Sequence, residues 1–400
     1  MKFLRTYLIL FLSAHLASAQ DTILAQRPPM GWMSWNLLSD HPKEKDIMDM
    51  ADAMVKSGMV EAGYDYIFLD DCWQGGRDSK NNIIADAKKF PSGIKALADY
   101  LHDKKMKLGI YSDAAQLTCG HYTGSLNFED QDARTFASWG IDYLKYDYCN
   151  APADVDSARA RYKKMADALR KSGRSILLGV CEWGPREPWK WAAEVGGQSW
   201  RTTFDIRDKW IDVEGKGGIG IYNVIDKNAE LSNFSGPGKW NDGDMLVAGL
   251  HGKEGPSSAY NATGCTKEEY QSQMSLYCML NSPLYASCDI REMDNETKTI
   301  LTNQEVIALN QDPLGKQAQR RIKTDKLDVF IRPLENGDVA IAILNKMPSP
   351  QTVNLGFGAL GMEGKYETRD LWAHRNLGKR SGWSGKILCH ETKLMRLKRI

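Results

Sequence analysis

Short apolar runs alternate with longer stretches whose apolar positions recur at i, i+3, i+4 and i+7. Tyr64 to Leu69, Lys107 to Ser112, Tyr143 to Tyr146, Ile176 to Val180 and Trp200 to Thr203 predict strands. Between them lie three helix faces: Ile47, Met50, Ala51, Met54 and Val55 before Gly58; Ile94, Leu97, Ala98 and Leu101; and Tyr162, Met165, Ala166 and Leu169. The alternation repeats roughly every 35 to 40 residues, which places the strands in a parallel sheet. That sheet is either a closed barrel or an open, doubly wound one. Polar residues separate the two. Asp70 and Asp71, Asp113, Lys145 and Asp147, Glu182, Asp205, and Asp242 and Asp244 stand at the carboxyl ends of successive strands. A closed barrel brings every such end to one face, whereas an open sheet gathers only those near its switch point. The pattern predicts an α/β chain built on a (β/α)8 TIM barrel.

After Asn310 the texture changes. Alternating runs such as Leu327 to Ile331 and Val339 to Leu344 are separated by Glu335-Asn336-Gly337-Asp338, the signature of antiparallel strands joined by tight turns. A barrel takes roughly 250 residues, so a chain of 400 has room for a second, smaller unit. The expected division is a leader over 1–19, a barrel over 20–310 and a β-sandwich over 311–400. The leader is read from Lys2 and Arg5, the apolar run Tyr7 to Leu12, and Ala17-Ser18-Ala19 before Gln20. That is the layout of a cleavable signal peptide and predicts a secreted or periplasmic protein.

Composition narrows the chemistry. The net charge is +1 and the basic residues are scattered, which argues against nucleic acid or an acidic membrane surface as partner. Twelve Trp residues supply flat apolar faces with one N–H donor each, suited to the C–H face of a sugar. No Gly-x-Ser-x-Gly elbow occurs, and the seven His lack the spacing of a zinc site. The Gly-x-Gly-x-x-Gly run from Gly215 to Gly220 follows Asp212-Val213-Glu214 rather than an apolar strand, and reads as a loop. Sequons at Asn233, Asn261 and Asn295 are about what chance supplies. Eight Cys in an exported chain permit disulfides but are too few for a cysteine-stapled scaffold. What remains is carboxylates, aromatics and two basic residues at strand ends, the equipment for breaking a glycosidic bond without metal or cofactor.

Six motifs carry a resemblance. Met30-Gly31-Trp32-Met33-Ser34-Trp35-Asn36, Leu69-Asp70-Asp71-Cys72-Trp73, Leu144-Lys145-Tyr146-Asp147-Tyr148-Cys149, Cys181-Glu182-Trp183-Gly184, Trp200-Arg201-Thr202-Thr203-Phe204-Asp205-Ile206 and Trp240-Asn241-Asp242-Gly243-Asp244-Met245-Leu246 span about Pro28 to Asp244. In this order and spacing they resemble the α-galactosidases of glycoside hydrolase family 27. The resemblance implies a (β/α)8 barrel followed by an antiparallel sandwich. It also implies a retaining enzyme that removes terminal α-D-galactosyl units from oligo- or polysaccharides.

By the same resemblance Asp147 is the nucleophile and Asp205 the general acid/base. Lys145 lies two positions before Asp147, so both side chains leave a strand on the same side and the ammonium can keep the carboxylate ionised. A free Asp has a pKa of about 3.9, so Asp205 is expected to be raised by burial and by Asp147. Arg201 matches a residue that binds the 2- or 3-hydroxyl, and Asp244 joins the substrate-binding set. Asp70 and Asp71 resemble a clamp on the 4- and 6-hydroxyls, with Trp35 and Tyr111 as apolar walls. Both Asp side chains can face the sugar only if the chain bends at the strand end. Cys181, Glu182 and Trp183 lie where the family reads the substituent at carbon 2, and Glu182 is expected to accept a hydrogen bond from a free 2-hydroxyl. That favours galactose over N-acetylgalactosamine. Retention of both Asp70 and Asp71 argues against a β-L-arabinopyranosidase, and retention of both catalytic carboxylates argues against a silent carbohydrate-binding protein. Cys119 and Cys149 match a family disulfide. Cys72 is expected to be a free thiol, because Leu37, Leu38 and Ser39 occupy the region of its usual partner.

Overall fold

The computed structural model describes residues 24–212, 218–253 and 264–400. The expected leader, the first three residues of the Gly215 to Gly220 run and the sequon at Asn261 lie outside them. Among the described residues, no helix is long and apolar enough to cross a membrane.

Eight parallel strands form one sheet: β1 (Met30–Met33), β2 (Tyr66–Leu69), β3 (Lys107–Asp113), β4 (Tyr143–Asp147), β5 (Leu177–Cys181), β6 (Ser199–Arg201), β7 (Trp240–Asp242) and β8 (Leu284–Ala286). Strands β1 to β7 pair in sequence order and β8 returns to pair with β1. A parallel bridge between Leu246, just past β7, and Ala286 of β8 closes the ring, with Leu246 N–H donating to Tyr285 O at 2.7 Å. The fold is the expected (β/α)8 barrel.

The helices α1 (Glu44–Ser57), α2 (Gly93–Asp103) and α4 (Val155–Lys171) coincide with the three periodic stretches, and α3 (Glu129–Trp139) lies between them. Helix α1 ends at Gly58, whose φ of 85° is the left-handed conformation that favours glycine at a helix stop. Helices α5 (Ile221–Asn228) and α6 (Lys267–Met279) follow β6 and β7.

Aromatic rings fill the barrel and form the floor of the site. The Phe68 ring centroid lies 4.9 Å from that of Tyr143 and 4.6 Å from that of Tyr285, both edge to face. Two strand glycines make room for these rings. A Cβ on Gly109 would overlap Phe68, and one on Gly179 would overlap the Tyr143 hydroxyl.

Eight further strands follow: β9 (Gln319–Lys323), β10 (Leu327–Pro333), β11 (Val339–Asn345), β12 (Gln351–Gly356), β13 (Tyr366–Asp370), β14 (Arg375–Arg380), β15 (Gly382–Ile387) and β16 (Thr392–Arg399). Six form an antiparallel sheet in the order β9-β10-β11-β16-β13-β14, and β12 pairs with β15. The period of two assigns the faces of the larger sheet. Phe330, Ala340, Ala342, Leu344 and Leu394 join the barrel core, while Val329, Ile341, Ile343, Met395 and Leu397 pack with Val353, Leu355, Trp383 and Ile387 of the smaller sheet. The larger sheet is thus both half of a sandwich and a cap on the barrel.

Candidate active site

Strand register brings the polar residues together. Tyr111 of β3 pairs with Lys145 of β4, and one step further Asp113 pairs with Asp147, which in turn pairs with Cys181 of β5. Positions two apart share a face, so Tyr111, Lys145, Asp147, Cys181 and Arg201 gather at the carboxyl mouth above the aromatic floor.

Asp147 is buried, and its carboxylate accepts hydrogen bonds from the Tyr111 hydroxyl at 3.0 Å and from Tyr148 N–H at 2.9 Å. Burial pushes its carboxyl up to about 7; Lys145 opposes the rise and the charge of Asp205 adds to it. Lys145 Nζ lies 2.7 Å from Asp70 Oδ2. Burial would lower its pKa, but Asp70, Asp147 and Asp244 outweigh that and hold it as an ammonium.

The two Asp residues after β2 diverge. The Asp70 N–H donates to Ser34 Oγ at 3.0 Å, which leaves its carboxylate facing Lys145. Asp71 accepts from Cys72 N–H and from Gly120 N–H, each at 2.7 Å. Cys72 has a φ of 72°, the bend that the sequence required if both were to face the mouth. A Cβ on Gly120 would lie 2.7 Å from Cys72 Sγ, so only glycine lets that loop come close enough to bond Asp71.

Arg201 is buried under three acceptors: Thr203 O at 3.1 Å, Asp205 Oδ1 at 2.9 Å and Asp244 Oδ2 at 3.0 Å. Asp244, at a φ of 73°, also accepts from Ile206 N–H at 2.8 Å, which holds the segment after Asp205 in place. Asp205 is less enclosed, with a side chain 40% exposed.

The family model described as alpha galactosidase A matches residues 27–312, and that of the alpha galactosidase C-terminal beta sandwich domain matches residues 324–397. The chain belongs to the alpha galactosidase A family. Alpha-galactosidase A of Cellvibrio japonicus is 47% identical over 340 residues, covering 84% of this chain and 80% of that protein. Alpha-galactosidase 2 of Arabidopsis thaliana is 45% identical over 355 residues, covering 88% and 84%. Alpha-galactosidase I from Mortierella vinacea is similar in structure, with a TM-score of 0.87 at 34% identity over 94% of this chain and 97% of that one. An α-galactosidase from Saccharomyces cerevisiae, solved with raffinose, has a TM-score of 0.85 at 27% identity over 94% and 98%.

The geometry refines the expectations for Tyr111 and Glu182 and reverses the one for Asp205. Tyr111 is buried, so its ring is no open wall, and its hydroxyl donates to Asp147. Trp35 is the partly exposed aromatic at the mouth on the β1 side. Glu182 is engaged by its own loop: its buried carboxylate accepts from Gly184 N–H at 3.2 Å, Arg186 N–H at 3.1 Å and Arg186 Nη1 at 2.9 Å. It locks its own loop and positions the partly exposed Trp183, which has a φ of 59°. Asp205 is held low instead of raised. Burial would lift it, but the Arg201 guanidinium and the Lys145 ammonium outweigh burial. Arg201 sits only four positions away, a contact the strand-end turn creates.

Cys119 and Cys149 form a disulfide that joins the loops after β3 and β4, while Cys72 is a free, buried thiol. The sequence reading gave no role to Asp113, whose carboxylate accepts from Ala115 N–H at 2.7 Å and from Cys149 N–H at 2.9 Å. Burial and the nearby charge of Asp147 push it up to about 8. Its place at the end of β3, in line with Asp147, was the available signal.

Proposed function

We propose that the chain hydrolyses terminal α-D-galactosyl units from oligo- and polysaccharides by double displacement. Asp147 attacks the anomeric carbon while Asp205 gives a proton to the departing oxygen; water, deprotonated by Asp205, then releases galactose from Asp147. One observation carries this reading. Two carboxylates in opposite environments share the mouth of one barrel, Asp147 enclosed beside Tyr111 and Lys145, Asp205 more open and on Arg201.

Asp70, Asp71, Lys145, Arg201 and Asp244 provide donors and acceptors for ring hydroxyls, with Trp35 and Trp183 as flanking aromatics. A sugar hydroxyl that engages Arg201 takes over a donor now held by Asp205, which lets that carboxyl rise and carry the proton. The catalytic unit spans residues 20–310 and the sandwich 311–400, and the leader over 1–19 directs export to the periplasm or medium.

The test is proton NMR of the first product from an aryl α-galactoside, run beside the matching β-L-arabinopyranoside and N-acetylgalactosaminide. Early α-galactose is expected. The Glu182-locked loop should exclude an acetamido group, with kcat/KM at least about a hundredfold lower on the N-acetyl sugar, or roughly 2.7 kcal/mol. Early β-galactose, or comparable rates on either competitor, would refute the proposal.

A further inference from the structure

The near-neutral charge of the whole chain hides an uneven distribution. Residues 365–400 hold ten Lys and Arg against three Asp and Glu, a net charge of +7 in a chain of +1. Three of these cations are paired: Arg369 with Glu305, Lys393 with Asp370 and Arg396 with Asp338. The other seven are exposed and have no ion pair among the described residues.

Strand register collects five of the seven at one corner of the larger sheet. Strand β13 lies between β16 and the edge strand β14. Tyr366, at the start of β13, is in register with Arg380 on one side and Arg399 on the other, and Glu367 with Lys379 and Lys398. The members of each couple are thus two strand spacings apart, roughly 10 Å. Arg380 and Arg399 leave the face that packs on the smaller sheet, Lys379 and Lys398 leave the opposite face, and Lys365 stands at the tip beside Tyr366. Glu367 stands among them without forming an ion pair. So many like charges at one strand end repel one another, and a polyanion would relieve that repulsion.

The chemistry around the corner selects among polyanions. Beside the cations Ile400 is exposed, but a stable hold on a bilayer needs a larger apolar insertion. A flat sheet end offers no helix or ribbon to a nucleic-acid groove. Relatives of this chain are enzymes of galactosides, and the sandwich shares the barrel core, so a saccharide polymer held at the corner stays at a fixed distance from the mouth. Guanidinium groups bind carboxylates through paired hydrogen bonds.

We propose that this corner is a docking surface for an acidic polysaccharide, whose carboxylates lie against Arg380, Arg399, Lys379 and Lys398 as the polymer passes round the start of β13. It goes beyond the proposed hydrolysis, because binding there needs no turnover.

The experiment is biolayer interferometry on immobilised polygalacturonate, with its fully methyl-esterified form as the matched uncharged polymer. Wild type should bind the acid form, with Kd rising at least about tenfold between about 20 and 200 mM salt, and should bind the ester at least about tenfold more weakly. Replacing Lys379, Arg380, Lys398 and Arg399 together by Gln should weaken binding at least about tenfold at low salt, whereas the same replacement of exposed Lys56, Lys171, Lys239 and Lys298 should change it less than about twofold. Both variants should keep wild-type kcat/KM on para-nitrophenyl α-galactoside, which shows that they fold. Absence of binding by wild type, equal binding of acid and ester, or equal losses in the two variants would overturn the surface. Tighter binding of phosphatidylglycerol vesicles or duplex DNA than of polygalacturonate would overturn the choice of partner. Corner-dependent binding by a wild type that hydrolyses no galactoside would leave the surface standing and overturn the proposed activity instead.

Discussion

Burial pushes the carboxyl of Asp147 up to about 7 in the folded chain, against about 3.9 for an unfolded Asp. The folded state therefore binds the extra proton between those values, and this group's contribution to stability falls as pH rises from about 4 to 7. Asp147→Asn removes that liability with a near-isosteric amide. The melting temperature of the variant relative to wild type should increase between about pH 4.5 and 7.5, while turnover drops by at least about a thousandfold, or 4 kcal/mol. A relative melting temperature that is flat or falling with pH would contradict the buried, raised carboxyl; retained turnover would contradict the nucleophile. Tyr111 gives a sharper separation of roles. If its ring were only a wall, Tyr111→Phe would be silent; because its hydroxyl donates to Asp147, kcat should fall roughly tenfold with KM little changed. Neither this bond nor the pairing of Arg201 with Asp205 was legible in the sequence. Both depend on where side chains end, not on which residues are present.

At the level of elements, the strand ends were legible because apolar runs stop at acidic residues. Helices α3, α5 and α6 were not, and α3 and α6 show why. The inward face of α3 carries Glu129 and Asp132, paired with Lys164 and Arg77 at 2.7 Å each, so apolar periodicity is broken where the helix is buried. In α6 nearly every residue from Glu269 to Met279 is buried, which removes the polar face that periodicity needs. The disulfide between Cys119 and Cys149 acts at this scale too, closing a 30-residue separation next to Asp147. Replacing both by Ser should cost about 3 kcal/mol in denaturant unfolding and lower activity further by loosening both loops. A double variant of wild-type stability and activity would show the bridge to be dispensable.

The whole molecule shares one interior across two units. Phe330, Ala342 and Leu394 of the six-stranded sheet pack into the barrel core. Polar ties reinforce this: Arg320 pairs with Asp226 and Glu230 of the barrel side, and Arg332 Nη1 donates to Cys278 O. Unfolding of either unit would strip apolar cover from the other. Calorimetry should therefore show a single cooperative transition for both, and two resolved transitions would refute the shared core. A chain ended after about residue 312 should aggregate, since it exposes a contiguous apolar face.

The sequence by itself determined the barrel, the appended sandwich and the identity of the carboxylates at the mouth. Strand-helix alternation, turn chemistry and polar residues at strand ends are local signals that one chain displays in order. Only the tertiary structure decided which carboxylate is enclosed and which is held by Arg201, and that Glu182 braces its own loop. Those properties arise from packing between residues distant in sequence or turned by strand-end geometry, where burial and charge act through distances of a few ångströms that no pattern of residue types specifies.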